Sequence, residues 1–208
     1  MTWRRLAGAV AAVLVVAACT SPPDEEHAPV IAPGRPGEPA STIPPDRVSP
    51  IPAVPPNDAD LAYVRNMIVH HHQAVEMARL VPDRAVNDTV KRLAERIGAA
   101  QPAEIDGMNA WLRRHDQPTI DPEHGGHTGH GDMPGMATPA QLEALRAATG
   151  SAFDNEFLEL MIAHHQGALT MAYAIQTTGA EVRVQEMADD VIATQTDEIN
   201  QMRALLGR

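Results

Sequence analysis

The pattern of apolar positions along the chain predicts helices and no strands. Between residues 58 and 80, apolar residues recur with the period of a helix that buries one face. The same periodicity predicts a second helix over residues 84–115, a third over 152–177 and a fourth over 181–206. Four long amphipathic segments with no strand pattern between them indicate an all-α domain that spans residues 57–208.

Local signals set the ends of these helices. Asn57 or Asp58 is typical of a helix N-cap, and a short turn is expected at 81–83. The segment 138–141, Thr-Pro-Ala-Gln, predicts a capping box that opens a short helix ending at Gly150. Gly179 should stop the third helix. Pro102 removes one backbone donor inside the second helix, so a kink or break is expected near residues 99–101.

One pattern occurs twice. Residues 67–71 read Met-Ile-Val-His-His, residues 161–165 read Met-Ile-Ala-His-His, and the 94-residue offset continues beyond both motifs. The further matching pairs are Asp60 and Asp154, Ala74 and Ala168, Gln101 and Gln195, Glu104 and Glu198, Ile105 and Ile199, Met108 and Met202, and Leu112 and Leu206. Two related helical hairpins joined by the long connection 117–137 predict a four-helix bundle with one crossover. A two-fold axis between the hairpins would make the first and third helices antiparallel, with their histidine pairs facing each other.

The N-terminal region has the features of an export signal followed by a spacer. Residues 1–18 combine an Arg-containing start, an apolar stretch and small residues, which is typical of a signal peptide. Cys19 follows Val-Ala-Ala and resembles the lipobox cysteine of bacterial lipoproteins; the alternative is an ordinary secreted protein with a spare thiol. Residues 20–56 contain twelve of the eighteen prolines, so a disordered linker is expected over 19–56. The chain is therefore predicted to be exported and lipid-anchored in the cell membrane, facing the periplasm or cell wall.

Charge and missing motifs exclude several classes of protein. The net charge is −11, which disfavours nucleic acid as a partner and favours cations. Cys19 is the only cysteine, so its lipidation would leave no thiolate for a disulfide or a metal site. The chain has no His-Glu-x-x-His, Gly-x-Ser-x-Gly, Glu-x-x-His or phosphate-binding glycine loop, and we therefore expect no enzymatic activity.

The duplicated motif carries imidazoles and thioethers on one helical face. On a helical wheel the histidines and methionines of the first copy lie with two alanines in one sector of about 120°. The predicted bundle ligands are His70, His71, His164, His165, Met67, Met77, Met161 and Met171. Imidazole and thioether donors suit Cu(I) or Ag(I), although a methionine stripe is also ordinary core packing. His72 is left out of this set because Gln166 replaces it in the second copy.

The crossover contains a second set of candidate ligands. His124, His127 and His130 recur every three residues on a glycine-rich backbone, and Met133 and Met136 follow at the same spacing. Histidine-rich tracts of this kind are typical of metal binding, with imidazole taking Cu(II) or Zn(II) and thioether favouring Cu(I). The alternative is a flexible polar loop.

The matching glutamates are not predicted to ligate the bundle ion. Counted outward from a turn at Pro82, Glu104 would lie about 15 Å further along the bundle than His71. A hydrogen bond at the end of the bundle is expected for Glu104 and Glu198, or a second minor site with Met108 or Met202.

The second copy of the motif closely resembles the signature of the family known as domain of unknown function 305. The resemblance covers residues 161–172, which read Met-Ile-Ala-His-His-Gln-Gly-Ala-Leu-Thr-Met-Ala, and the preceding Gly150, Phe153-Asp154 and Phe157-Leu158. Residues 67–78 form its first-half partner. The resemblance implies a ferritin-like helical fold, and some members of that family are exported copper- or silver-binding proteins. The leading hypothesis is a lipid-anchored protein that binds copper, more readily Cu(I) than Cu(II), with zinc or silver possible, and sequesters it or hands it on. The alternatives are a ferritin-like metal-dependent oxidoreductase and a metal-free scaffold for envelope proteins. A homodimer or an unidentified envelope partner stays open.

Overall fold

A computed structural model describes residues 30–44, 47, 54–121 and 133–207 of the chain. These residues fall into two compact units, one within Met1–Pro52 and one within Ala53–Arg208. The signal peptide, Cys19 and the three histidines of the crossover lie outside the described residues. Along the described ranges, no helix is both long and apolar enough to cross a membrane.

The first unit contains a short β-hairpin that the sequence did not predict. Strand β1, Val30–Ala32, pairs antiparallel with β2, Ser41–Ile43, so that Val30 stands opposite Ile43. The expectation that the chain contains no strand is therefore wrong. Three of the six paired residues are valine or isoleucine, whose β-branched side chains favour extended backbone, and Gly37 at φ 92° turns the chain between the strands.

The second unit is a bundle of four long helices, which confirms the predicted all-α class. In chain order its elements are α1, Asp58–Arg79; α2, Val81–Arg84; α3, Asp88–Arg114; α4, Pro139–Ala147; α5, Gly150–Thr178; and α6, Val182–Leu205. Helix α1 packs against α3, α5 packs against α6, and the two hairpins meet where α1 contacts α5. The N-cap at Asn57, the capping box at Thr138 and the stop at Gly179 are present as predicted, and Asn57 forms a capping box as well.

The connection between α1 and α3 differs from the predicted turn. Residues 81–84 form the short helix α2, the chain is extended at Ala85 and Asn87, and α3 begins at Asp88 rather than at residue 84. Helix α3 also continues through Pro102 without a break. The short helix before α5 ends at Ala147, and α5 begins at Gly150, two residues earlier than predicted.

Buried carboxylates cross between the hairpins and fix their relative direction. Asp60, near the start of α1, accepts hydrogen bonds from the backbone N–H groups of Ala180 and Glu181, which precede α6. Its duplicate Asp154, near the start of α5, accepts from Val86 and Asn87, which precede α3. Each hairpin thus satisfies unpaired donors at a helix start of the other. The start of α1 therefore lies by the end of α5, and the two helices are antiparallel as predicted.

The core consists of two apolar clusters in which aliphatic side chains and methionines predominate. The first contains Phe153 and Phe157, and the second contains Trp111, whose indole N–H donates to the carboxylate of Glu181 at 3.0 Å. All three rings are fully buried. The histidines of the duplicated motif lie in this same interior.

Candidate metal centre

The centre of the bundle holds one histidine from each hairpin. His70 on α1 and His164 on α5 are fully buried, and the centroids of their rings are 3.7 Å apart. Nε2 of His164 donates to the backbone carbonyl of His70 at 2.9 Å. Nε2 of His70 donates to the carbonyl of Pro134 at 3.0 Å. The predicted meeting of the two histidine pairs at the middle of the bundle is therefore found for one ring of each pair.

These contacts and the burial of the rings determine the tautomer and the protonation state of His70 and His164. A carbonyl oxygen can only accept a hydrogen bond, so in both rings the hydrogen lies on Nε2 and Nδ1 has an open lone pair. Burial lowers the pKa of His70 to about 3, although its bond to the Pro134 carbonyl acts in the opposite direction. Burial and the neighbouring imidazoles hold the pKa of His164 well below its usual range. Both rings are neutral at physiological pH, the form in which imidazole binds metals.

The other histidine of each pair is held by a carboxylate. Nε2 of His71 donates to Oε2 of Glu104 at 2.7 Å, and Nε2 of His165 donates to Oε2 of Glu198 at the same distance. Both imidazoles are fully buried. Burial acts to raise the pKa of Glu104, but its hydrogen bond to His71 and its electrostatic interaction with the imidazoles of His71 and His165 outweigh burial and lower it.

The predicted 15 Å separation between His71 and Glu104 is wrong, because it assumed that the chain turns straight back at Pro82. Helix α2 and the extended residues 85–87 instead carry the chain beyond the end of α1 before α3 begins. Relative to a tight turn, α3 is displaced towards that end by about 15 Å, ten residues at 1.5 Å per residue, and this displacement brings Glu104 level with His71. The hydrogen bond expected for both glutamates exists, but it lies inside the bundle and not at its end.

All four histidines of the duplicated motif have the same bonding pattern. Each Nε2 has an acceptor, and each Nδ1 is buried without a hydrogen-bond partner among the described residues. Metal-binding histidines characteristically donate one ring N–H to a carboxylate or backbone carbonyl, which fixes the tautomer and directs the other nitrogen at the ion. Because a buried polar atom without a partner is costly, four such nitrogens in one core point to a ligand.

The methionines separate into two sets related by the duplication. The first apolar cluster contains Met77, Met161 and Met202. The second contains Met67 and Met108, with the half-buried Met171 packed against it. The 94-residue offset converts these three methionines into the three of the first cluster. Met187 also packs against the second cluster, but Leu93 stands at its corresponding position. Each hairpin therefore contributes thioethers to both clusters.

The sequence predicts one common pocket, and the structure shows a different arrangement. His70 and His164 form a central pair. Two separate His–Glu pairs flank it, His71 with Glu104 and His165 with Glu198. In the ranges 30–44, 54–121 and 133–207, no three His, Asp or Glu side chains come close enough together to hold one metal ion. Any ion in this interior would need thioether donors as well. That requirement fits soft monovalent cations better than divalent ones.

The described end of the crossover lies against the central pair. Met133 and Met136 are half-buried in a turn, and the intervening Pro134 carbonyl accepts from His70. The close approach depends on glycine, because a Cβ atom at Gly167 of α5 would lie 1.8 Å from the Pro134 oxygen. Gln73 of α1 completes the anchor with two hydrogen bonds to the backbone of Ala137. His124, His127 and His130 lie outside the described residues, so their role stays a prediction.

Sequence reasoning missed several residues of this region. Asp60 and Asp154 were recognised only as matching positions, although the persistence of an acidic residue at a helix start in both copies is a signal for capping. Gln101 and its duplicate Gln195 are buried, and the side-chain oxygen of each has no partner among the described residues. Met187 on α6 has no methionine counterpart in the first hairpin, so the duplication could not reveal it.

Comparison with known proteins identifies relatives of this bundle. The profile of the family described as "Domain of unknown function (DUF305)" matches residues 60–206. A DUF305 fragment from Deinococcus radiodurans is 32% identical over 74% of this chain and 99% of that chain, with a TM-score of 0.67. A DUF305 protein from Streptomyces coelicolor, described as a candidate secreted protein, is 34% identical over 72% of this chain and 91% of that chain, with a TM-score of 0.64.

Further matches differ in how much they cover. CopM in its Cu(II)-bound form is 34% identical over 70% of this chain and 94% of that chain, with a TM-score of 0.60. CopM structures in Cu(I)-bound, Ag-bound and apo forms match as well. A 53-residue stretch is 38% identical to the uncharacterized protein L153 of Acanthamoeba polyphaga mimivirus, which covers 26% of this chain and 35% of that protein. The chain thus matches about a third of the length of that curated relative.

Proposed function

The chain belongs to the DUF305 family, and on that premise we propose that it binds Cu(I) or Ag(I) in the bundle and serves copper homeostasis by sequestering the ion or handing it on. The observation that carries the proposal is the bonding of the four histidines. Each has its Nε2 hydrogen bonded to a carbonyl or carboxylate and its buried Nδ1 without a partner among the described residues. This is the arrangement in which a protein prepares imidazoles for a metal.

The surrounding donors fit a soft monovalent cation. The thioethers of Met67, Met77 and Met161 are buried in the clusters beside the histidines, and Met171 is half-buried. Neutral imidazole and thioether are the ligands that Cu(I) and Ag(I) accept, whereas calcium and magnesium need oxygen. The solved CopM relatives in Cu(I)-, Cu(II)- and Ag-bound forms support copper or silver as the ion.

We further propose that the bundle works at the cell envelope and without turnover. Residues 1–18 would direct export, and Cys19 would carry the lipid anchor. His124, His127, His130, Met133 and Met136 would capture ions from solvent. The acidic chain favours the approach of cations.

The decisive measurement is competition between the full chain and a chelator of known affinity for Cu(I) and for Ag(I). We expect submicromolar binding by the native protein and a loss of at least about tenfold in affinity for the double variant His70→Ala, His164→Ala. The matched control is His72→Gln, which introduces the residue that the second copy has at Gln166 and should leave affinity unchanged. All variants retain the crossover residues, so the difference reports the bundle.

Two outcomes would reject the proposal. One is micromolar or weaker binding that the double variant does not change. The other is a melting temperature that responds to neither ion, because a ligand that binds only the folded protein must raise it. The second result would favour the metal-free scaffold. Oxygen- or peroxide-dependent turnover with bound metal would instead favour the oxidoreductase.

A further inference from the structure

The two halves of the duplicated bundle differ in how far their His–Glu pair is open to solvent. A cavity of about 270 Å³ lies beside His71 and Glu104, with walls from α1, α3 and α6. The side chain of Glu104 is 38% exposed, whereas that of Glu198 in the other half is 18% exposed. The asymmetry is notable because the two pairs have the same hydrogen-bond length and the same buried imidazole.

Small residues open the first half. Ala103 and Gly107 on α3 line the cavity, and a Cβ atom at Gly107 would meet nothing within 4 Å. The duplication places Asp197 and Gln201 at the corresponding positions of α6. Helix α3 therefore leaves space where α6 has two larger polar side chains.

In the second half those side chains are bonded together. Nε2 of Gln201 donates to Oδ2 of Asp197 at 2.5 Å, and Nη2 of Arg96 donates to Oε1 of Gln201 at 2.6 Å. Arg96 corresponds to Asp190, which lines the open cavity. A hydrogen-bonded chain of three side chains thus occupies the positions that give solvent access in the first half.

The open half also has more groups that suit a soft cation. Met67, Met108 and Met187 line its cavity together with His71. In the second half, Met161 and Met202 correspond to Met67 and Met108, but Leu93 stands at the position that corresponds to Met187. A soft ion would therefore find one more thioether in the open half.

A second observation marks the open half as a place for a ligand. Tyr63 lines the cavity and is only 6% exposed, yet its hydroxyl has no hydrogen-bond partner among the described residues. The second half has Phe157 at this position, which needs no partner. Burial, with the nearby charge of Glu104, raises the pKa of Tyr63, so the hydroxyl is neutral and its hydrogen is available to water that enters the cavity with an ion.

We propose that the cavity beside His71 is the site at which the bundle takes up a soft monovalent cation, with Met67, Met108 and Met187 as its thioether ligands, while the corresponding half at His165 is sealed. This inference rests on the proposed binding of Cu(I) or Ag(I) and adds which half is used. It also adds Met108 and Met187 as ligands.

The experiment is a titration of the full chain, labelled at its methionine methyl groups with ¹³C, with Ag(I) as a redox-inert probe. Methyl resonances report each methionine separately. We expect the first equivalents of ion bound in the bundle to shift the resonances of Met67, Met108 and Met187 and to leave those of Met161 and Met202 in place.

Exchanging the differences between the halves supplies matched variants. The double variant Gly107→Gln, Asp190→Arg gives the open half two residues of the sealed one, and we expect the methyl shift at Met187 to be lost. The reciprocal variant Arg96→Asp, Gln201→Gly should create a shift at Met161 and Met202. Thermal unfolding without metal checks that both variants fold; if the first does not, the reciprocal variant and Met187→Leu carry the test.

The possible results separate this inference from the proposed function. Shifts that appear first at Met161 and Met202, or a native pattern retained in the closing variant, would overturn it. Tight Ag(I) binding without any shift at Met67, Met108 or Met187 would also overturn it, and the proposed function would stand. No Ag(I) binding in the chelator competition would reject both.

Discussion

Acid should destabilise the metal-free protein well above the pH at which most carboxylates titrate, because His70 and His164 are buried as neutral rings. In the folded protein the pKa of His70 is lowered to about 3 and that of His164 is far below its ordinary value, while both return to about 6.5 on unfolding. Below pH 6.5 the unfolded chain therefore binds more protons than the folded one. The free energy of unfolding must fall as the pH falls, and this contribution is fully present only above pH 6.5.

The size of the effect follows from the same pKa difference. Each group has a limiting slope of about 1.4 kcal/mol per pH unit, which is reached when the unfolded ring is fully protonated. Between pH 6 and 5 the pair therefore contributes about 2.4 kcal/mol per unit. By pH 5.0 the two rings together should remove about 4 kcal/mol, a large share of the stability of an ordinary domain.

The assay is urea unfolding of protein freed of metal by a chelator, at several values between pH 7.5 and 5.0. Replacing His164 with Leu should halve this part of the slope, to about 1.2 kcal/mol per pH unit between pH 6 and 5, whatever it does to the stability at pH 7.5. His72→Gln serves as the control and should retain the native slope. If the native protein and His164→Leu lose stability in parallel between pH 6.5 and 5.0, the ring at His164 is protonated in the folded state and the reasoning is wrong.

Two further predictions concern the scaffold. Asp60→Ala should lower the free energy of unfolding by about 3 kcal/mol, because three backbone N–H groups that donate to the buried Asp60 carboxylate would lose their partner. A change below about 1 kcal/mol in urea unfolding would show that water replaces the carboxylate. Gly167→Ala should cost about 1–3 kcal/mol, since its Cβ would lie 1.8 Å from the Pro134 oxygen. Gly107→Ala is the matched control and should be neutral or stabilising by up to about 1 kcal/mol, because its Cβ meets open space and alanine favours a helix. Equal losses of stability in the two glycine variants would contradict the close packing at Gly167.

The helices were predictable because their signals are local. The capping box at Thr138 and the stop at Gly179 involve residues within one turn of the helix end, and the apolar periodicity gave the helices themselves. The β-hairpin at residues 30–43 was missed because its strands are three residues long within a proline-rich segment. The all-α class followed from the bundle alone.

The register of the first hairpin was beyond the sequence. It depends on how far α2 and residues 85–87 carry the chain past the end of α1, and an eight-residue connection can do this or turn straight back. That single uncertainty displaced Glu104 from His71 and hid the role of the glutamate. The duplication predicted which residues match, but a match reveals nothing about what differs. The difference between Gly107 and Gln201 gains its meaning from the structure, where each residue belongs to the half of the bundle that surrounds a His–Glu pair.

The exchanged carboxylates of Asp60 and Asp154 have a consequence for how the repeats come apart. Repeat proteins often lose their units one after another, since each unit contacts only its neighbour. Here, each carboxylate caps a helix start in the opposite half, so detaching either hairpin breaks the hydrogen bonds of both carboxylates. Neither repeat can melt while the other remains intact, so the bundle should open in a single cooperative step and release whatever it holds all at once.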